Sequence, residues 1–113
     1  MVTRRAANSA CAARGEHYAV TKGGMISRTR TLAVELARYR VRAHSILPGW
    51  IETNMTANAI GNPKFHDNVM PRIPMRRWGE GADFGGVAVY LMSAASAHHT
   101  GDTFVIDGDH SLF

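Results

Sequence analysis

Two short β-forming runs constrain this chain more than any other feature. Val41 to Leu47 is partly β-branched and stopped by Pro48-Gly49, and Thr103 to Ile106 is closed by Asp107-Gly108. Each therefore reads as a strand ending in a turn. Around them the apolar period changes. From Tyr18 to Tyr39 no proline intervenes; Met25, Thr29, Leu32 and Leu36 trace one stripe, and Ile26, Ala33 and Ala37 the adjoining one. Together they predict one broad apolar helix face. Phe84, Val87, Ala88, Leu91 and Met92 fall at i, i+3, i+4, i+7 and i+8 and predict a second amphipathic helix, ending before Gly101. The order helix, strand, long loop, helix, strand implies parallel strands with crossover helices, an α/β fold. Two strands are too few for a parallel sheet covered on both faces, so the chain reads as part of a larger α/β domain.

The remaining segments qualify this outline. Ile51 to Pro74 carries Pro63, Pro71, Pro74, Asn54, Asn58 and Asn62, and reads as an irregular excursion containing one short helix, the kind of long loop that tends to be functional or mobile. Gly23 and Gly24 are poor helix formers near the start of the first helix. Their expected use is to let another backbone or a ligand come close. At 113 residues the chain holds one core, and 45% hydrophobic against 19% charged residues excludes a disordered tail. The single cysteine, Cys11, excludes a disulfide framework and suggests a reducing, cytoplasmic setting. No apolar run reaches the roughly 20 residues of a membrane span, and nothing resembling a secretory signal follows Arg4 and Arg5.

Charge is unevenly placed, at +7 over residues 1–42 and −3 over residues 43–113. A basic first third invites a nucleic-acid reading, but its arginines are dispersed and no recognised nucleic-acid motif with interleaved aromatics accompanies them. A solvated helix face explains them better. His66 and the adjacent His98 and His99 lack a third ligand at metal spacing, so no metal site is expected. His44 reads as a packed strand residue, Cys11 as inert and Asp107 and Asp109 as turn formers.

The chemistry is carried by Tyr18-Ala-Val-Thr-Lys22. Spacing i, i+4 puts a phenol and an ammonium on one helix face. A tyrosine hydroxyl titrates near 10 and is a poor base at neutral pH, but a fixed cation beside it favours phenolate and brings it towards acid–base use. This pair is followed by Gly23-Gly24, a strand, then Pro48-Gly49-Trp50-Ile51-Glu52-Thr53, and finally Thr100-Gly101-Asp102-Thr103-Phe104-Val105-Ile106-Asp107-Gly108. In this order and at these separations, from about Gly15 to Ser111, the series resembles the C-terminal half of the short-chain dehydrogenase/reductase family.

That resemblance implies the later part of a Rossmann-like, doubly wound parallel sheet, incomplete here, and hydride transfer between NAD or NADP and a small-molecule alcohol or carbonyl substrate. Tyr18 matches the tyrosine that exchanges a proton with the substrate oxygen. Lys22 matches the lysine that lowers the tyrosine pKa and hydrogen-bonds the nicotinamide ribose. Pro48 and Gly49 match the turn facing the nicotinamide, and Ile51 and Thr53 the contacts to its carboxamide. Trp50 and Met55 belong to the substrate side, Met55 opening an excursion that in family members closes over substrate. Family members commonly assemble through the helix that begins at the tyrosine and through the last helix and strand, so a homo-oligomer is expected. Ligands of α/β sheets bind beyond the carboxyl ends of the strands, in keeping with these placements.

There are departures too. The family's glycine-rich dinucleotide turn lies far upstream of its tyrosine, and seventeen residues cannot hold it. The position of the family's substrate-polarising serine is Arg5. Residues 1–14, rich in Ala and Arg, are expected to be an unmatched segment, with a partial family domain over 15–113 and the chain a truncated reading of a longer gene. The rival expectation is a catalytically inactive homologue or self-associating interaction module, driven by an exposed strand edge.

Overall fold

The computed structural model describes residues 16–112, with side chains from Val20 onward. The first element is α1, Glu16–Leu36, which tightens into a 3-10 turn at Ala37–Tyr39. Arg40 stops it in the left-handed conformation at φ 60°, its N–H donating to the Ala37 carbonyl. Thr29 and Thr31 remain compatible with the helix because their hydroxyls donate to the carbonyls four residues back, Met25 at 2.8 Å and Ser27 at 3.3 Å. The buried seam is narrower than the two stripes predicted. Ala33 is 3% exposed, whereas Met25 and Ala37 are exposed. The reason is close approach at one place: Gly101, at φ 82°, comes so near that a Cβ there would meet the Ala33 Cβ at 3.4 Å. Met25 lies two turns from that contact.

Strand β1 spans Ser45–Pro48 and β2 spans Thr103–Ile106. The second is the strand expected, and the first is shorter than the run from Val41. Pairing cannot start earlier, because the left-handed turn at Gly101 sets where β2 begins. Gly101 N–H donates to the Ala43 carbonyl at 2.8 Å, and the ladder opens with Ser45 N–H to Asp102 carbonyl at 3.0 Å. It closes with Gly49 N–H to Ile106 carbonyl at 3.0 Å. Donor and acceptor advance together along both strands, so the two-stranded sheet is parallel.

The excursion is more ordered than its composition suggested. It holds α2 at Ala57–Ile60, α3 at Pro63–Val69 and a 3-10 turn at Met70–Arg72. Residues that read as breakers act as caps: the Asn62 side chain accepts from the Lys64 and Phe65 amides, and Pro63 takes the first helical position. The last helix is α4, Gly85–Met92, preceded by a 3-10 turn at Gly81–Phe84 and followed by another at Ala94–Ser96. Phe84, Val87 and Leu91 are partly buried as the period predicted, while Ala88 and Met92 face outward. Ser96 is fully buried, its hydroxyl 2.7 Å from the Tyr90 carbonyl.

Two compact units divide these elements, the first comprising the described residues up to Leu47 with His98–Phe104, the second Pro48–Ala97 with the residues from Val105. In the first, Ala33 is the buried apolar residue, and His44, which read as a strand residue, lies just before β1 and packs edge-on against His99 and Phe104. In the second, Ile73 is 1% exposed and lies under Gly108. No described helix is long and apolar enough to cross a membrane.

Candidate active site

Helix α1 runs unbroken through positions 18 and 22, so both lie on one face of a continuous helix. Lys22 is exposed, and the Tyr18 side chain lies outside those described. A Cβ added at Gly23 or Gly24 would meet nothing within 4 Å. No described part of the chain uses the close approach expected of these glycines. Cys11, Arg5 and the whole 1–14 segment fall outside the described residues.

The second group is built on the turn that leaves β1. Gly49 is required there by packing. A Cβ would fall 2.6 Å from both Cα and Cβ of Asp107 and 2.9 Å from its carbonyl oxygen. Asp107 and Asp109 do form a turn: the Asp107 carboxylate accepts from the Asp109 and Ser111 amides, each at 2.9 Å, around Gly108 and Asp109 at φ 61° and 71°. Beyond Gly49 the chain pairs with a second segment. Gly79 N–H donates to the Trp50 carbonyl at 2.9 Å and Glu52 N–H to the Gly79 carbonyl at 2.8 Å, which makes Ile51 and Gly79 a single parallel β-bridge. Thr56 holds the other side, donating its hydroxyl to the Ile51 carbonyl at 2.6 Å and accepting from Thr53 N–H at 2.9 Å.

Trp50 meets the Phe65 ring edge-on at 4.9 Å, and Phe65 stacks at 6.1 Å on Trp78. A cleft of about 240 Å³ opens beside them, lined by Trp50, Ile51, Met75, Arg77 and Asp83 among others. The structure thus brings Gly49, Trp50, Ile51 and Thr53 into one turn and puts Trp50 and Ile51 on a cleft. Pro48 ends the strand, exposed. Met55 is 92% exposed and lies outside the cleft.

Sequence reasoning missed the strongest electrostatic feature of this unit. Arg77 grips Asp83 with both guanidinium arms, at 2.8 and 2.6 Å. That hydrogen-bonded arginine, with the Glu80 amide as a second donor, holds the Asp83 carboxyl down at about 2. The carboxylate in turn raises the Arg77 pKa. No periodicity connects residues six apart across a Trp-Gly-Glu-Gly loop; only the acid at the third position of a helix start offered a signal. In the other unit, the Thr103 amide and then the His99 ring lower the Asp102 pKa. Among the described residues no three histidine, cysteine or acidic side chains group closely enough to hold a metal ion.

Residues 2–109 match the family described as enoyl-(acyl carrier protein) reductase. The chain is 38% identical over 98 residues to the D-arabinitol 2-dehydrogenase (ribulose-forming) of Scheffersomyces stipitis, covering 85% of this chain and 35% of that protein. It is 36% identical over 91 residues to the 5-keto-D-gluconate 5-reductase of Escherichia coli K12, covering 80% and 36%. The structure of a gluconate 5-dehydrogenase from Burkholderia cenocepacia, in complex with NADP and tartrate, superposes with a TM-score of 0.79 at 33% identity, covering 85% of this chain and 38% of that one. The chain thus spans a little over a third of the length of these relatives. With a parallel α/β arrangement that is part of a Rossmann-like fold, it belongs to the short-chain dehydrogenase/reductase family.

Proposed function

We propose that this chain serves NAD- or NADP-dependent interconversion of an alcohol and a carbonyl, with Tyr18 as the acid–base group and Lys22 as its electrostatic support. The observation that carries the reading is the turn at Gly49 to Thr53. It lies beyond the carboxyl end of a parallel strand, where α/β sheets take ligands, and its residue types are those of the family's nicotinamide turn. The residues present fit such a group. Gly49, Glu52 and Thr53 spend their N–H groups inside the protein, while among the described residues none accepts from the Ile51 N–H. A donor therefore remains for a carboxamide oxygen.

In the oxidative direction Tyr18, as phenolate, takes the proton from the substrate hydroxyl; in reduction its hydroxyl returns that proton to the carbonyl oxygen. Lys22 stabilises the phenolate and offers N–H donors to ribose hydroxyls. A bound nicotinamide supplies the acceptor or donor for the hydride on the substrate carbon. The relatives act on D-arabinitol and 5-keto-D-gluconate by name, which supports a small polyol or sugar acid as substrate. Titration with NADH and with NADPH, followed by nicotinamide fluorescence, tests this reading. Saturable binding supports it, and no binding at millimolar cofactor overturns it.

The exposure of Val20, Val34, Ile46, Val89, Met92 and Val105 favours a second role, assembly into a homo-oligomer or an interaction module without catalysis. Sedimentation at two concentrations separates a self-associating chain from a monomer.

A further inference from the structure

The Gly49–Thr53 turn is held in place by a loop that the family motifs do not include. Residues 77 to 83 form that loop, closed across its ends by the Arg77–Asp83 pair. Asp83 uses the same Oδ2 to accept from Glu80 N–H at 2.8 Å, and Arg77 Nη1 also donates to the Trp78 carbonyl at 3.0 Å. The bonds on the Glu80 amide and the Trp78 carbonyl flank Gly79, the residue that bridges Ile51 through two backbone hydrogen bonds. A Cβ at position 79 would run into the Ile51 Cδ1, the movable end of that side chain, and would lie in ordinary contact with the Trp50 carbonyl, so the two backbone hydrogen bonds, rather than steric wedging, hold the bridge.

Exposed ion pairs in general contribute little, because two long side chains must be ordered in water. This one differs in geometry. The Arg77 and Asp83 side chains are 49% and 26% exposed, so burial does not set the pair apart, but the two-armed fork fixes orientation as well as distance. We infer that Arg77 and Asp83 are positioning residues, whose pairing sets the place of Gly79 and through it the Trp50–Glu52 backbone. The functional consequence rests on the reading of Ile51 as a nicotinamide contact. Neither residue need touch the cofactor; loss of the pair lets the turn drift and weakens cofactor binding.

The test uses the full chain and Asp83→Asn, which keeps an oxygen to accept from the Glu80 amide and removes the charge facing Arg77. Amide hydrogen exchange of Glu52 and Gly79 is read against that of Ser45, whose bond to Asp102 lies in the sheet. The expected result is exchange about tenfold faster at Glu52 and Gly79, with Ser45 within about twofold of wild type. Arg77→Lys, which keeps the charge without the fork, should fall between the two. Exchange at Glu52 and Gly79 unchanged in Asp83→Asn, or accelerated equally at Ser45, overturns the assignment. If Asp83→Asn does not fold, Arg77→Lys decides on the same comparison. NADH titration runs alongside, with a several-fold weaker Kd expected in Asp83→Asn. A wild-type chain that binds no NADH but shows the local exchange pattern sinks the dehydrogenase reading and leaves the positioning role standing. An unchanged Kd in a variant with accelerated exchange overturns the functional consequence.

Discussion

Gly49→Ala is the sharpest test of how the turn is built. The new methyl group would lie 2.6 Å from two carbon atoms of Asp107 and 2.9 Å from its carbonyl oxygen, and these are backbone or backbone-adjacent atoms that cannot rotate away. Ordinary contact needs about 0.8–1 Å more, so the ends of β1 and β2 must part by that amount. The same movement stretches the Gly49 N–H to Ile106 carbonyl bond from 3.0 Å to about 4 Å, beyond hydrogen-bonding range. Overpacking of this kind costs about 1–3 kcal/mol, and the lost bond about 1 kcal/mol more. A loss of about 3 kcal/mol, at a urea dependence of about 1.5 kcal/mol per molar, lowers the unfolding midpoint by about 2 M. Trp50 and Trp78 fluorescence reports the transition. Gly86→Ala is the control, since nothing lies within 4 Å of that position in α4. There alanine should raise stability by up to about 1 kcal/mol through helix propensity. A Gly49→Ala midpoint within about 0.3 M of wild type, or equal losses in both variants, refutes the packing argument.

Ile73→Ala, at a residue 1% exposed, should destabilise by about 2–5 kcal/mol through lost burial and the cavity left under Gly108, read as a fall in melting temperature. The Asp83 carboxyl titrates at about 2 in the folded chain, below its usual 3.8. Its contribution is therefore complete above about pH 4 and is lost as pH falls through 2; Asp83→Asn should flatten the difference between urea midpoints measured at pH 5 and pH 2.5. Tyr18→Phe should lower turnover of a polyol by about 10²–10⁴-fold, the range of a lost acid–base group, with NADH affinity nearly unchanged. Equal loss of both would assign Tyr18 to binding instead.

Alternation of periods along the chain determined the order of elements. Thr103 to Ile106 became a strand because β-branched and aromatic residues sit between a glycine turn and Asp107-Gly108, and helix α1 because no proline breaks twenty-one residues. The order Tyr18, Lys22, Pro48-Gly49 and Asp107-Gly108 also identified the family, since such spacings are local properties of a one-dimensional string. Other features depended on which distant segments meet. β1 starts at Ser45 rather than Val41 because its partner begins only after Gly101. The helix α3 in the excursion is a local exception, since Asn62 caps it through the amides two and three residues ahead, although the same asparagine and proline read as a loop. The Arg77–Asp83 pair, and the Gly79 bridge it frames, follow no period at all. Hydrogen bonds and ion pairs across a loop are set by three-dimensional proximity, and residue spacing encodes that only within a helix turn or a strand pleat.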